Sequence, residues 1–107
     1  MKPKLLIVDD DDSIRTQMKW ALATDYEVAQ AVDRDSAVTT FSEFRPHVTV
    51  LDLGLPPQPN NPAEGLAALS ALLALDSTAR VIILSGQGER ENAVKAIAAG
   101  AYDFLTK

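Results

Sequence analysis

The chain has 107 residues, 47% of them hydrophobic and 23% charged, which predicts one globular domain able to build its own core. Its net charge of −5 argues against direct nucleic-acid binding, because phosphate contacts need a basic surface. The absence of cysteine excludes disulfides and thiolate metal sites and favours a cytoplasmic location. A signal peptide is not predicted, because the N-terminus MKPKLLIVDDDD lacks a long enough apolar region. A membrane anchor is not predicted either, because no apolar run approaches the roughly 18–20 residues of a membrane span.

Strand and helix patterns alternate along the chain in the order βαβαβαβαβ. Three of the five strand segments are nearly continuous apolar runs, as expected where both faces of a parallel sheet are covered. The order therefore predicts an α/β fold with a doubly wound, five-stranded parallel sheet and right-handed crossovers. The strand segments are KLLIV, YEVAQAV, HVTVLDL, RVIILS and YDFLT.

Four amphipathic helices are predicted between these strands. Asp33 is suited to the N-cap of the second helix, and Gly100 to the C-cap of the fourth. The stripes, in chain order, comprise Ile14, Met18, Ala21 and Leu22; Ala37, Phe41 and Phe44; Leu66, Leu69, Leu72 and Leu73; and Ala93, Val94, Ile97 and Ala98.

One segment, LGLPPQPNNPAEG at Leu53 to Gly65, interrupts this alternation. Four of the six prolines lie in it, so a loop is predicted, because proline removes a backbone donor and restricts φ. The predicted loop is longer than the roughly two to six residues usual for a βα connection. Long loops are often functional.

Polar side chains follow the carboxyl ends of four strands, where parallel α/β sheets bind ligands. Asp9 and Asp10 end the first strand, Asp52 the third, Ser85 the fourth and Lys107 the fifth. Adjacent carboxylates repel each other, so this cluster is best explained if it holds a cation. Asp11 and Asp12 more readily serve the N-terminus of the first helix, where negative charge is favoured.

The residue types define the expected chemistry. Oxygen ligands without His or Cys select a hard cation, Mg²⁺ or Mn²⁺, and the backbone carbonyl of Gly54 is placed to add another ligand. Asp52 can act as a nucleophile towards a phosphoryl group and form an acyl phosphate. Lys107 supplies a positive charge for the phosphoryl oxygens, and Ser85 can donate a hydrogen bond to them.

These residues resemble the receiver domain of bacterial two-component response regulators, which has a flavodoxin-like (βα)₅ fold. The resemblance covers nearly the whole chain. It rests on VDD at Val8–Asp10, LDLGLP at Leu51–Pro56, LSG at Leu84–Gly86 and AYDFLTK at Ala101–Lys107.

The resemblance implies a role for each matching residue. Asp52 would be the phosphoacceptor, Asp9 and Asp10 the metal-binding pair, and Ser85 and Phe104 the switch residues. A sensor histidine kinase would donate the phosphoryl group, and the changed output face would signal to another module, with control of transcription as the expected outcome. The domain would not be an enzyme beyond its own metal-dependent phosphorylation and dephosphorylation.

Two features depart from the family pattern. Gly65 stands thirteen residues after Asp52, where about eight is usual in the family, so the Pro-rich segment resembles an insertion. The sequence stops at Lys107, so we expect residues 1–107 to form a receiver without its fifth helix and without an output domain. The apolar sheet face left by that helix would favour association, including a homodimer.

A narrower resemblance concerns KWAL at Lys19–Leu22, the extended DLGLPP loop and REN at Arg90–Asn92. These stretches are similar to receivers of sigma-54-type activators linked to PEP-CTERM systems, in which an ATPase domain and a DNA-binding domain follow.

Three alternatives remain at this point. A receiver-like interaction module that never carries phosphate would need none of the acidic residues. A haloacid-dehalogenase-like phosphatase would need a second Asp two residues after its nucleophile, where Gly54 stands. A flavin mononucleotide site would need a Ser/Thr/Gly-rich loop after the first strand, where DDDDS would repel phosphate.

Overall fold

The computed structural model describes residues 2–57, 61–86 and 89–106, which form one parallel sheet with helices on both faces. All five strands and four helices predicted from the sequence are present. The strands are β1 (Lys4–Val8), β2 (Glu27–Ala31), β3 (Val48–Asp52), β4 (Arg80–Ser85) and β5 (Asp103–Thr106). The helices are α1 (Asp12–Leu22), α2 (Arg34–Phe44), α3 (Ala63–Leu75) and α4 (Arg90–Ala98).

The strand order across the sheet is β2-β1-β3-β4-β5, and every neighbouring pair is parallel. This is the flavodoxin-like order of a doubly wound sheet. The chain reverses its direction of winding between β1 and β3, so the loops that follow these strands leave on opposite sides. A crevice opens at such a switch point, at the carboxyl edge of the sheet.

The core lies on both sides of this sheet because alternate strand residues point to opposite faces. Leu6 and Val8 belong to the larger buried cluster, which α2, α3 and α4 cover. Leu5 and Ile7 belong to a smaller cluster on the other face. In the described part of the chain, the helix residues packed against this smaller cluster are Ile14, Met18 and Leu22, all from α1.

Two predicted helix stripes need correction. Ala21 was assigned to the apolar stripe of α1 but is exposed. In α4 the buried residues are Ala93 and Ala96, whereas Val94 and Ile97 are 55% and 39% exposed. Ala98 is exposed as well. The face of α4 that carries the two small alanines packs on the sheet. The larger apolar residues of α4 therefore did not indicate its buried side.

The Pro-rich segment is shorter as a loop than the sequence suggests. Helix α3 begins at Ala63, with Pro62 at its N-cap, so Gly65 is a helical residue rather than the end of a loop. The Asn61 side chain accepts a hydrogen bond from the Ala63 amide at 2.8 Å, which helps to start the helix. The Arg34–Glu64 ion pair, at 3.6 Å, connects the first turns of α2 and α3.

Of the two predicted helix caps, one is confirmed and the other is displaced by one residue. Asp33 is the N-cap of α2 and forms a capping box with Ser36, whose backbone N–H donates to Asp33 Oδ1 at 2.8 Å. The C-cap of α4 is Ala99, and Gly100 follows it with φ of +114°, a conformation that favours glycine. The observed C-cap of α4 therefore lies one residue before Gly100, which was the predicted one.

The Asp33 cap gives a pH-dependent prediction. Hydrogen bonding by the Ser36 hydroxyl and then by its backbone N–H lowers the pKa of Asp33. A folded-state pKa below the unfolded value means that the stabilisation is complete above the unfolded pKa, about 3.9, and is lost as pH falls through the folded value. We expect Asp33→Ala to lower the free energy of unfolding by about 1 kcal/mol at neutral pH, measured by urea denaturation.

The matched control is Asp33→Asn, because asparagine keeps the capping oxygen but does not titrate. This variant should hold its cap at low pH, whereas the Asp33→Ala deficit should shrink below about pH 4. A deficit of Asp33→Ala that stays constant across this pH range would contradict the assignment.

The described helices include none that is both long and apolar enough to cross a membrane.

Candidate functional site

Three carboxylates meet at the carboxyl edge of the sheet. Asp9, Asp10 and Asp52 each place one carboxylate oxygen within 4.8 Å of the other two. Asp9 is fully buried and Asp52 is 6% exposed, whereas Asp10 is exposed. We name these three residues the acid cluster. The sequence predicted this convergence from the ends of β1 and β3, which are neighbouring strands in the sheet.

Asp9 is held in place by its backbone and its side chain. Its N–H donates to the Ala31 carbonyl at 3.1 Å, which extends the β1–β2 ladder by one residue. Its Oδ1 accepts a hydrogen bond from the Asp11 amide at 2.9 Å. Its backbone carbonyl accepts one from the Arg15 guanidinium at 2.7 Å. Hydrogen bonds thus connect the segment between β1 and α1 to β2, through Ala31, and to α1, through Arg15.

The next two aspartates serve α1, as predicted. Asp11 is the N-cap, and its Oδ1 accepts hydrogen bonds from the amides of Ser13 and Ile14 at 2.8 and 3.3 Å. Asp12 lies in the first turn and forms an ion pair with Arg15. The run of four aspartates therefore divides into two residues of the acid cluster and two that stabilise a helix N-terminus.

Asp52 is the last residue of the central strand β3, and the loop after it is closely supported. The Gly54 amide lies 3.4 Å from Asp52 Oδ1. The Leu53 carbonyl accepts hydrogen bonds from Leu55 at 3.0 Å and from Gly65 at 3.1 Å. A Cβ on Gly65 would overlap the Leu53 backbone, lying 2.6 Å from its carbonyl carbon, so only glycine fits there. The first turn of α3 therefore supports the residue that follows Asp52.

Ser85 and Phe104 occupy the strands beyond Asp52. The β3–β4 register pairs Asp52 with Leu84, which places Ser85 one residue further towards the carboxyl edge. Ser85 is 2% exposed, and its hydroxyl donates to the Leu105 carbonyl at 3.5 Å. Phe104 is partly buried against the core cluster on the α2–α4 face.

The remaining predicted site residue, Lys107, lies outside the described residues. The structure thus brings Asp9, Asp10 and Asp52 together, with Ser85 at the end of the adjacent strand. Gly54 follows Asp52 in the same loop and is partly buried.

Arg15 is a residue of this edge that the sequence reasoning missed. Its guanidinium reaches the Asp9 carbonyl, the Asp12 carboxylate and Gln30 on β2. A sequence signal was available, because Arg15 is the first basic residue after the four aspartates and lies on the first turns of α1. An arginine there could have been recognised as a partner for the oxygens at the end of β1.

Comparison with known protein families shows to which family this chain belongs. Residues 5–107 match the response regulator receiver domain. The chain belongs to this family. The match includes all predicted site residues of the receiver and extends through the acid cluster, Ser85 and Phe104.

Individual relatives agree with the family assignment. The receiver is 39% identical over 106 residues to the chemotaxis protein CheY of Listeria monocytogenes, covering 97% of this chain and 85% of CheY. It is 34% identical to the transcriptional regulatory protein PrrA of Mycobacterium tuberculosis, covering 98% of this chain but only 43% of PrrA. The crystal structure of the receiver domain of NtrX from Brucella abortus superposes with a TM-score of 0.87 at 34% identity, covering 97% and 85% of the two chains.

Proposed function

We propose that this receiver accepts a phosphoryl group on Asp52 from a sensor histidine kinase and passes the signal to an output module. The observation that carries the proposal is the acid cluster, in which three carboxylates from β1 and β3 approach within 4.8 Å of one another at the carboxyl edge. Asp52 is the member of this cluster on the central strand β3, and Ser85 ends the neighbouring strand β4 one residue beyond the register partner of Asp52.

The residues of the cluster fit a magnesium ion. Like charges at this separation, two of them largely buried, are costly unless a cation offsets them. The donors are carboxylate oxygens, with the Gly54 carbonyl as a further candidate, and oxygen-only sites suit Mg²⁺ or Mn²⁺. Asp9, Asp10 and Asp52 would hold the ion. When bound, it neutralises the negative charge that otherwise keeps a phosphoryl group away from the carboxylates.

The proposed reaction is a phosphoryl transfer from an imidazole nitrogen to a carboxylate oxygen. An Asp52 oxygen forms a bond to phosphorus while the phosphorus–nitrogen bond of the donor histidine breaks. The electron pair stays on the nitrogen, and the imidazole leaves neutral because its other nitrogen carries the proton. Hydrolysis later returns the carboxylate and releases inorganic phosphate, with water as the nucleophile.

Two residues are proposed to respond to the phosphoryl group. The Ser85–Leu105 hydrogen bond, at 3.5 Å, is longer than the roughly 2.5–3.0 Å usual for hydroxyl donors, so redirecting the hydroxyl towards phosphoryl oxygens costs little. Leu105 and Phe104 are neighbours on β5. Loss of the Ser85 contact therefore reaches the strand that carries the proposed switch aromatic. Lys107 is proposed to pair with the phosphoryl oxygens.

The decisive experiment is intact-mass spectrometry after incubation with acetyl phosphate, with and without Mg²⁺. We expect one metal-dependent phosphoryl adduct on the natural chain and complete loss of this adduct in Asp52→Asn. Asp25→Asn is the matched control, because this exposed aspartate precedes β2 at the opposite edge of the sheet. Failure of a folded, Mg²⁺-binding chain to form the adduct would favour the phosphate-independent interaction module instead.

We propose that the output module controls transcription. Support comes from the relative PrrA, which is named a transcriptional regulatory protein and of which this receiver matches less than half. The narrower similarity to sigma-54-type activators of PEP-CTERM systems stays a prediction, as do the cytoplasmic location and a homodimer.

A further inference from the structure

Arg15 joins three elements of the structure at the edge that carries the acid cluster. Its side chain lies on α1 and is only 12% exposed. One terminal nitrogen donates to the Asp9 backbone carbonyl at 2.7 Å, and Nε donates to Gln30 Oε1 on β2 at 3.3 Å. The other terminal nitrogen pairs with the Asp12 carboxylate. All three guanidinium nitrogens are therefore engaged.

These contacts restrain the residue that begins the cluster. Asp9 is followed by a turn, so its carboxylate direction depends on how the backbone leaves β1. The Ala31 carbonyl fixes the amide side of Asp9, at 3.1 Å. Arg15 fixes the carbonyl side, which is the start of the peptide unit that leads into Asp10. A planar guanidinium with three bonded nitrogens resists rotation in a way that a single hydrogen bond does not.

We propose that Arg15 is a positioning residue that sets the Mg²⁺ affinity of the acid cluster by holding the peptide between Asp9 and Asp10. Arg15 acts through the backbone and is not itself a metal ligand. The inference rests on the proposed metal site. It deepens that proposal by assigning a role to a residue outside the donor set.

If Arg15 acts through its charge, removing it should change the Mg²⁺ affinity in the opposite direction from that expected if Arg15 acts by positioning the ligands. A positive charge close to a cation site weakens cation binding, so removing it should tighten Mg²⁺ binding if charge alone mattered. Removing a support of the ligands weakens binding instead, and loss of such supporting contacts typically costs about 10–100-fold in metal affinity. The direction of the change therefore separates the two explanations.

The test measures the Mg²⁺ dissociation constant of the natural chain, Arg15→Met and Arg15→Lys by isothermal titration calorimetry, with urea denaturation of each metal-free protein. We expect Arg15→Met to bind Mg²⁺ at least about tenfold more weakly. Arg15→Lys should also weaken binding although it keeps the charge, because an ammonium group does not reproduce the planar three-nitrogen contact.

Two control variants isolate the Asp9 contact. Gln30→Ala removes only the Nε partner of Arg15 and should change the dissociation constant less than about threefold, since the bond to the Asp9 carbonyl remains. Arg34→Met removes another arginine near this edge, one that pairs with Glu64 rather than with the loop after β1. It should leave Mg²⁺ binding unchanged or slightly tighter.

Each outcome bears on the proposal. Binding by Arg15→Met that equals or exceeds that of the natural chain overturns the positioning role while leaving the proposed function intact, even if the variant is less stable. A natural chain that binds no Mg²⁺ overturns both. If the variants do not fold, nitrogen-15 spectra of the metal-free natural chain decide: separate, slowly rotating Nη signals of Arg15 support the role, and averaged signals overturn it.

Discussion

Gly65→Ala is expected to destabilise the receiver by about 1–2 kcal/mol, although alanine is the better helix former. The reason is the overlap of a Cβ at this position with the backbone of Leu53, which lies under the first turn of α3. Backbone atoms yield less readily than the end of a flexible side chain. The overpacking cost therefore exceeds the gain of about 1 kcal/mol that alanine brings to a helix interior. Urea denaturation at neutral pH measures the loss.

The matched comparison uses Ser70, an exposed residue in the middle of the same helix. At this position Ser70→Ala should be more stable than Ser70→Gly by about 1 kcal/mol, because only the intrinsic helix propensities of alanine and glycine differ there. At position 65 the order of alanine and glycine should reverse. A Gly65→Ala variant as stable as the natural chain would show that α3 can move away from Leu53.

The same substitution should reach the acid cluster. Leu53 follows Asp52 directly, and its carbonyl accepts the Gly65 amide at 3.1 Å. A shift of this backbone displaces Asp52, the proposed phosphoacceptor, and the Gly54 carbonyl together. We therefore expect Gly65→Ala to form the acetyl phosphate adduct more slowly than the natural chain under conditions in which both are folded.

Loss of the Asp9 carboxylate is expected to have the second large effect. In Asp9→Asn the side-chain oxygen can still accept a hydrogen bond from the Asp11 amide, so the local fold is kept while one proposed charged ligand is lost. We expect Mg²⁺ affinity to fall by at least about tenfold, because even indirect supports of metal ligands are worth that much. A tenfold loss removes about 1.4 kcal/mol of Mg²⁺-linked stabilisation at saturating metal, which thermal unfolding with and without Mg²⁺ detects.

Asp11→Asn provides the control for charge. It removes the same charge two residues away, and asparagine is as good an N-cap as aspartate. Its Mg²⁺-induced stabilisation should stay close to that of the natural chain. Equal losses in Asp9→Asn and Asp11→Asn would mean that the four aspartates act as a diffuse negative patch, and that the acid cluster is not a discrete site.

The sequence by itself determined the element order and the edge of the sheet at which the acid cluster lies. Near-continuous apolar strands alternating with helical stripes allow few arrangements other than a parallel sheet with helices on both faces. Asp9, Asp10 and Asp52 could be assigned to one site because parallel strands end at the same edge. The assignment of Asp11 and Asp12 to the N-terminus of α1 followed from the local preference of that terminus for negative charge, which needs no tertiary contact.

Only the tertiary structure decided which side of each helix is buried and what supports the site. In helix α4 Ala93 and Ala96 are buried, whereas Val94 and Ile97 are 55% and 39% exposed. The buried side is set by close approach to the sheet and not by hydrophobicity alone. Gly65 packs against the backbone of Leu53, twelve residues earlier in the chain. Arg15 of α1 donates a hydrogen bond to the backbone carbonyl of Asp9, which follows β1. Local sequence patterns record residue preferences, whereas these contacts arise from the packing of distant segments.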